Sequence, residues 1–263
     1  MLVDTHCHLD FPVFDQDRLL ILEKCRQQNI TAIVVPGVCR KGWQRLLWLC
    51  HEQETLYPAL GLHPCFLDQH QPDDLHKLAQ LCDTEPLHAI GEIGLDYYNR
   101  GNKNRHVNDP DRDRQRYYFS EQLQIAKQHQ LPVLIHARKS HHEVIQQLKA
   151  VQPLKGIIHA YSGSYEQARE YLKLGFKLGF GGAYTYPKAS KLRALVSRLP
   201  LDAWVLETDA PDMTPVRHHG ERNSPQYLLE IAQDFMQLYA AEFDSENIMA
   251  QLHQNTRDVF PAL

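Results

Sequence analysis

Short apolar runs alternate along the chain with longer segments whose apolar residues recur every three or four positions. The short runs read as strands over Leu2–His8, Thr31–Gly37, Leu56–Leu62, His88–Ile93, Pro132–His136, Gly156–His159, Phe176–Gly181 and Trp204–Glu207. Between them, helical spacing predicts helices over Arg18–Gln28, Trp43–Gln53, Arg114–Gln128, Glu143–Leu148, Tyr165–Leu174 and Ala189–Leu199. Ser164 can cap its helix with Gln167 reaching back, and Ser224–Pro225 offers a cap followed by a proline whose missing N–H costs nothing there. Leu228, Leu229, Ala232, Phe235, Met236 and Tyr239 then form one apolar stripe, and a last helix is expected from about Ser245 to Val259. Eight strands with intervening helices predict an α/β fold, a TIM-type (β/α)8 barrel closed by parallel strands. A doubly wound sheet is the alternative. No linker rich in Gly, Ser or Pro divides the chain, so residues 1–263 are expected to form a single barrel domain. The one long polar stretch, Tyr97–Pro110, follows the fourth strand, where a barrel loop lies over the site.

Composition narrows the class. Of 263 residues, 43% are hydrophobic and 23% charged, which excludes a disordered or fibrous chain. There is no apolar run of about 18 residues and no leader pattern, so the expectation is a soluble cytoplasmic protein with no membrane contact. All six cysteines fall in the first third without a CxxC pair, and Cys7, Cys25, Cys39 and Cys50 read as ordinary buried thiols. A net charge of −4 argues against a surface that grips nucleic acid everywhere, yet permits a basic rim around one cleft. No glycine-rich nucleotide motif is present.

The chemistry sits at the strand ends. His6 and His8, two apart on the first strand, point to one side while Cys7 points to the other. Glu92, His136, His159 and Asp209 end or follow four further strands, the face on which barrels place their active sites. Each alone has an ordinary reading as a core histidine or a capping acid; their convergence favours a metal site. Nitrogen and oxygen donors suit zinc, manganese, iron, nickel or magnesium. A carboxylate between two ions would bridge them, and Glu92 is the best bridging candidate.

The stretches DTHCHLD (Asp4–Asp10), GLHP (Gly61–Pro64), GEIGLDYY (Gly91–Tyr98), LPVLIHARKS (Leu131–Ser140), HAYSGS (His159–Ser164) and LETDAP (Leu206–Pro211), in this order, resemble the TatD family of metal-dependent deoxyribonucleases. The resemblance implies a barrel of the amidohydrolase-like superfamily with two divalent metal cations, zinc, magnesium or manganese. It implies His6, His8 and Asp209 on the first ion, His136 and His159 on the second, Glu92 bridging, and His63 near the substrate. Family members often carry a histidine after the HP of GLHP, where this chain has Cys65.

The expected activity is a metal-dependent hydrolase, a deoxyribonuclease or phosphoesterase in which two cations lower the pKa of a shared water and Asp209 accepts its proton. Arg138 and Lys139 are candidate phosphate partners, as are the backbone amides of Ser162–Gly163–Ser164. Arg100, Lys103, Arg105, Arg112, Arg217 and Arg222 make up the expected basic rim, and Tyr97 or Tyr98 could stack on a base. For these residues, solvent-facing charge, a helix cap or rim packing is the competing account. Asp4, Asp96 and Glu207 are candidates for orienting ligating histidines through their second ring nitrogens. DNA or another phosphoester is the expected partner, with the protein a monomer needing no obligate protein partner. Two alternatives are an amidohydrolase acting on a small amide, ester or lactone, and a non-catalytic metal-stabilised nucleic-acid-binding protein.

Overall fold

The computed structural model describes residues 1–98 and 109–263. Eight strands lie side by side in sequence order, every adjacent pair parallel. They are β1 (Leu2–Asp4), β2 (Ile30–Pro36), β3 (Leu56–Leu60), β4 (Ala89–Asp96), β5 (Val133–Arg138), β6 (Gly156–Ile158), β7 (Phe176–Phe180) and β8 (Trp204–Leu206). Helices α1 (Arg18–Gln27), α2 (Arg40–Glu52), α3 (Pro72–Thr84), α4 (Asp109–Gln128), α5 (His141–Val151), α6 (Tyr165–Lys173), α7 (Ser190–Val196), α8 (Leu228–Tyr239) and α9 (Ser245–Val259) surround them. The helix α3 has no counterpart among the spans read from sequence. Arg100, Lys103 and Arg105 lie outside the described residues.

Closure joins the first strand to the last. Thr5 N–H donates to the Leu206 carbonyl (3.0 Å), Asp209 N–H to His6 (2.8 Å) and His8 N–H to Ala210 (2.8 Å). Asp4 reinforces this seam: its carboxylate accepts the Thr208 N–H at 2.9 Å and the Thr208 hydroxyl at 2.5 Å. The result is the predicted (β/α)8 barrel.

Inside it, Val34, Ala59, Ala89, Leu134, Ile157 and Val205, one from each of six strands, pack in one cluster with Val259 and Phe260 at the end of α9. The neighbouring strand residues Ile33, Val35, Ile135, Ile158, Leu178 and Leu206 belong instead to the large cluster shared with the helices. Two-residue periodicity thus separates barrel filling from helix contact.

The first, second, third, sixth, seventh and eighth strands stop one to four residues short of the sequence reading, while the fourth and fifth run longer. The first case matters most. Beyond Asp4, the chain keeps the strand's alternation by hydrogen bonding on both sides: Cys7 N–H reaches Val34 of β2 (3.1 Å), while His6 and His8 bond toward β8. The Ser164 capping box forms, with both reciprocal bonds present. Ser224 does not cap with its side chain, because a 3-10 turn over Pro225–Tyr227 intervenes before α8. At α9 the capping oxygen belongs to Asp244, which accepts from Asn247 N–H at 2.8 Å.

Two stability predictions arise from this frame. Asp4→Ala leaves two donors on Thr208 without acceptors and should lower stability in urea by about 3 kcal/mol; a loss below about 1 kcal/mol would show that the backbone bonds close the barrel unaided. His141, buried at the start of α5 and 3.1 Å from the Tyr171 hydroxyl of α6, has its pKa pushed down to about 4 by burial and then by the charge of His136. A depressed folded value means that the stability held by neutral His141 is complete above about pH 6.5 and is lost as pH falls toward 4. Between pH 7 and 5 this amounts to about 2 kcal/mol. His141→Gln should flatten the pH dependence of urea unfolding by that amount, and equal slopes in both proteins would refute the assignment.

Candidate metal centre

The polar residues stand one inward step above the apolar filling. His136 follows Leu134 by two positions, His159 follows Ile157, and Glu207 follows Val205, so each inherits the inward face of its strand. Glu92 breaks this parity relative to Ala89. The β4–β5 register shifts between Ile90 and Ile93, and that irregularity turns Glu92 inward. Gly94 completes the arrangement: at φ 140°, a side chain there would collide with the His136 carbonyl. On β7, Gly179 leaves room for the Glu207 carboxylate, which an added Cβ would displace.

Glu92 lies at the middle of the cluster. One carboxylate oxygen, Oε2, is 3.2 Å from His6 Nε2 and 3.4 Å from His8 Nε2. The other, Oε1, is 3.0 Å from His136 Nδ1, 3.1 Å from His63 Nε2 and 3.8 Å from His159 Nε2. Asp209 faces the same imidazoles from just past β8, with Oδ1 3.8 Å from His6 and 3.7 Å from His8, and Oδ2 3.7 Å from His159. The His6 and His159 rings stack at 3.8 Å. Donor atoms of His6, His8 and Asp209 fall within 4.8 Å of one another, as do those of Glu92, His136 and His159.

The electrostatics show what this cluster lacks. Burial would raise the Glu92 carboxyl, but the imidazoles of His63, His6 and His159 hold it well below the usual carboxylate range. Asp209 is raised to about 6 by burial, against the pull of His159 and His8. Burial opposes charge on His159 and His8, yet the carboxylates around them raise His159 to about 10 and His8 to about 9. His6, buried beside charged His159, is pushed far down, and its Nδ1 is buried with no hydrogen-bond partner. Carboxylates in a nearly dry mouth demand positive charge, and protons on imidazoles supply it here. A divalent cation supplies the same charge while leaving every imidazole nitrogen a donor, so the donor set fits metal.

The surrounding residues divide sharply. Asp96 accepts from His136 Nε2 (3.2 Å), from the Cys65 thiol (3.2 Å) and from Tyr98 N–H (2.8 Å). Glu207 Oε1 is 3.1 Å from His159 Nδ1, out of line for a hydrogen bond, and accepts Ala160 N–H at 2.6 Å. Asp4 touches no imidazole; besides Thr208 it accepts His6 N–H at 3.3 Å. His63 lies deeper than a substrate contact alone requires, against Glu92, and with Cys65 and His136 forms a further donor group. Nothing in the spacing of GLHP places Cys65 next to Asp96; that contact exists only once the third and fourth loops are folded together.

The cleft over the cluster has a volume of about 750 Å³ and is lined by His8, His63, Glu92, His136, His159 and Asp209, with Arg138 and Ser162 at its wall. Tyr97 and Lys139 do not line it; they line a neighbouring cleft. Arg217 pairs with Asp234 at 2.9 Å and Arg222 with Asp17 at 2.5 Å, so both expected rim cations are committed to acids. Lys139, Ala160 and Asp209, each just past a strand, have φ of 58°, 44° and 57°. Such outliers gather where a site dictates the backbone.

Similarity to known proteins agrees with this geometry. The chain is 40% identical over 227 residues to the uncharacterized metal-dependent hydrolase YjjV of Escherichia coli, covering 85% of both chains. The crystal structure of YjjV superposes with a TM-score of 0.91 at 36% identity, covering 100% of this chain and 98% of that one. The uncharacterized metal-dependent hydrolase YabD of Bacillus subtilis is 34% identical over 262 residues, 99% of each chain. The phosphotriesterase homology protein of Escherichia coli, at 15% identity and a TM-score of 0.66 over 98% of this chain and 97% of that one, shares the fold. TatD related DNase is the family whose pattern matches, over residues 3–261, and so the chain belongs to the TatD-related DNase family of metal-dependent hydrolases.

Proposed function

We propose that this hydrolase cleaves phosphodiester bonds of DNA, with residues 1–263 acting as one barrel domain and two divalent cations in its mouth. His6, His8 and Asp209 would hold one cation, His136 and His159 the other, and Glu92 would lie between. The observation that carries this reading is the position of Glu92, whose two oxygens face two different sets of imidazoles. Nitrogen and oxygen donors suit zinc, manganese or magnesium. Bound there, the cations supply a nucleophile from water at neutral pH and countercharge for phosphoryl oxygens.

The chain's own residues do the rest. Asp209 is the carboxylate placed to take the water's proton, its two oxygens facing His6, His8 and His159 across the mouth. Arg138, at the wall of the cleft, offers a planar two-point grip on a phosphate. Ser162 lies beside it with a hydroxyl for the same group. Phe11, Phe66, Tyr184 and Leu192 form an apolar wall that seats sugar or base and excludes water. Asp96 holds the ring of His136 from behind by a hydrogen bond, and Glu207 sets its negative charge 3.1 Å from His159 Nδ1. The Arg138 guanidinium at this wall favours an anionic phosphoester over a neutral carbonyl substrate. Among the described residues no helix is long and apolar enough to cross a membrane.

Metal-stripped protein should be inactive on single-stranded DNA and regain turnover when titrated with magnesium, manganese or zinc. Glu92→Ala and Asp209→Asn should each lower kcat on the order of 10³-fold, the scale on which losing one preorganised group at a reacting centre acts. Faster turnover of small amides or lactones than of any phosphodiester would overturn the reading. Metal should also stabilise the fold independently of catalysis. At a hundredfold excess over Kd the gain is about 2.7 kcal/mol per site, read as a rise in Tm, and Glu92→Ala should lose most of it. A Tm indifferent to the cation in the wild-type protein would remove the metal centre from the proposal.

A further inference from the structure

A second cleft of about 840 Å³ opens beside the metal centre, between the ends of β4 and β5 and the starts of α5 and α6. Arg138 and Ser162 line both clefts, so the two share a wall. Its size lies in the range of about 300–1,000 Å³ typical of clefts that take small ligands. Among the described residues, the charge on its wall is one-sided. Arg112, Arg138 and Lys139 face it, while its lining carboxylate, Glu143, is engaged by Arg116. Tyr98 stands at the edge, 43% exposed, with the Arg138 guanidinium 3.8 Å over its ring. The helices α5 and α6 both begin at this wall, at Ser140 and Ser164, adding the partial positive charge of their first turns. Lys139 is held at φ 58°, which a side chain other than glycine adopts at a cost of about 1–2 kcal/mol.

We propose that this cleft takes the nucleotide flanking the scissile phosphodiester of a single-stranded polynucleotide. The flanking phosphate lies on Lys139 and Arg112, and its base stacks on the Tyr98–Arg138 pair. This rests on the phosphodiesterase reading of the metal centre. Arg138, shared by the two clefts, stands between the phosphate being cleaved and its neighbour. A duplex keeps its base faces stacked on one another, so an aromatic ring at the edge of a cleft reaches a base only in an unpaired strand. The three cations also account for how a chain of net charge −4 engages a polyanion: the positive charge is concentrated along one track rather than spread over the surface.

The test compares metal-loaded wild-type protein with Lys139→Asn/Arg112→Gln and with Tyr98→Leu. Asparagine tolerates the left-handed backbone at position 139, so the charge is removed without new strain. Substrates are bis(4-nitrophenyl) phosphate and single-stranded oligodeoxynucleotides of increasing length. In the wild type, kcat/KM should rise about tenfold once the flanking nucleotide is present, the scale of one stacked base. In both variants most of that rise should vanish. The charge variant should also flatten the log–log salt dependence by about 0.7 for each phosphate that it no longer neutralises. A length gain unchanged in both variants, or absent from a wild type that still hydrolyses bis(4-nitrophenyl) phosphate, overturns the cleft assignment alone. Failure of the metal-loaded wild type on every phosphodiester ends the phosphodiesterase reading and this one with it. Matching Tm values across the three proteins exclude misfolding as the cause of a lost gain.

Discussion

A carboxylate 2% exposed, at the mouth of a barrel filled with Val, Ile, Leu and Ala, can persist in ionised form only if positive charge surrounds it. Glu92 is that carboxylate, and the molecule is arranged around keeping it charged. Five imidazole nitrogens lie within 3.8 Å of its two oxygens, those of His6, His8, His63, His136 and His159. Asp96 and Glu207 lie against the far sides of His136 and His159, while Asp209 meets the same Nε2 atoms of His6, His8 and His159 that face Glu92. A group of alternating bases and acids this dense has no stable reading as plain core. Its members compete for protons, raising His159 while depressing His6 one ring away. A divalent cation would resolve the competition, and this is why the donor set fits metal.

The barrel makes such a cluster possible by separating its interior into two levels. Below, small and branched side chains from six strands meet Val259 and Phe260, which close the floor. Above, the next inward positions carry the polar groups. The seam between β1 and β8 has to hold while charges accumulate beside it, and Asp4 with Thr208 contributes side-chain bonds at the point where His6 and Asp209 diverge from the ladder. Asp4, two residues before His6, is therefore a structural tie, while the acids beside the imidazoles of His136 and His159 are Asp96 of β4 and Glu207 just past β8.

Much of this was legible from spacing alone. Eight apolar runs separated by helical periods specify the barrel, and polar residues at the ends of those runs specify its active face, because both follow from side-chain periodicity. His136 and His159 fall at strand ends in the sequence, and because their strands are regular they continue the inward positions of Leu134 and Ile157. Glu92 is read as a bridge from its place in the order of motifs, but its inward turn depends on a register shift that no two-residue alternation contains. The same limit explains Asp4, whose partner Thr208 is 204 positions away, and Cys65, whose contact with Asp96 forms between separate loops. Strand ends were overrun at β1 and β8, since the chain there continues the strand's alternation while bonding to its neighbours irregularly.

Charge, by contrast, was legible only as inventory. Arg217 and Arg222 look in sequence like members of the same basic rim as Arg138, yet helix α8 and the α1 start supply Asp234 and Asp17 to neutralise them. Among the described residues, Arg138, Lys139 and Arg112 remain facing the clefts, with both guanidinium groups seated over aromatic rings, Arg138 on Tyr98 and Arg112 on Tyr97. An arginine parked on an exposed ring gives up little to move onto a phosphate, because both partners are attractive to a weakly hydrated cation. An arginine locked to a carboxylate gives up much more. The distinction between poised and committed cations, which needs the fold and cannot be counted from composition, therefore gathers the uncommitted positive charge on one side of the barrel mouth.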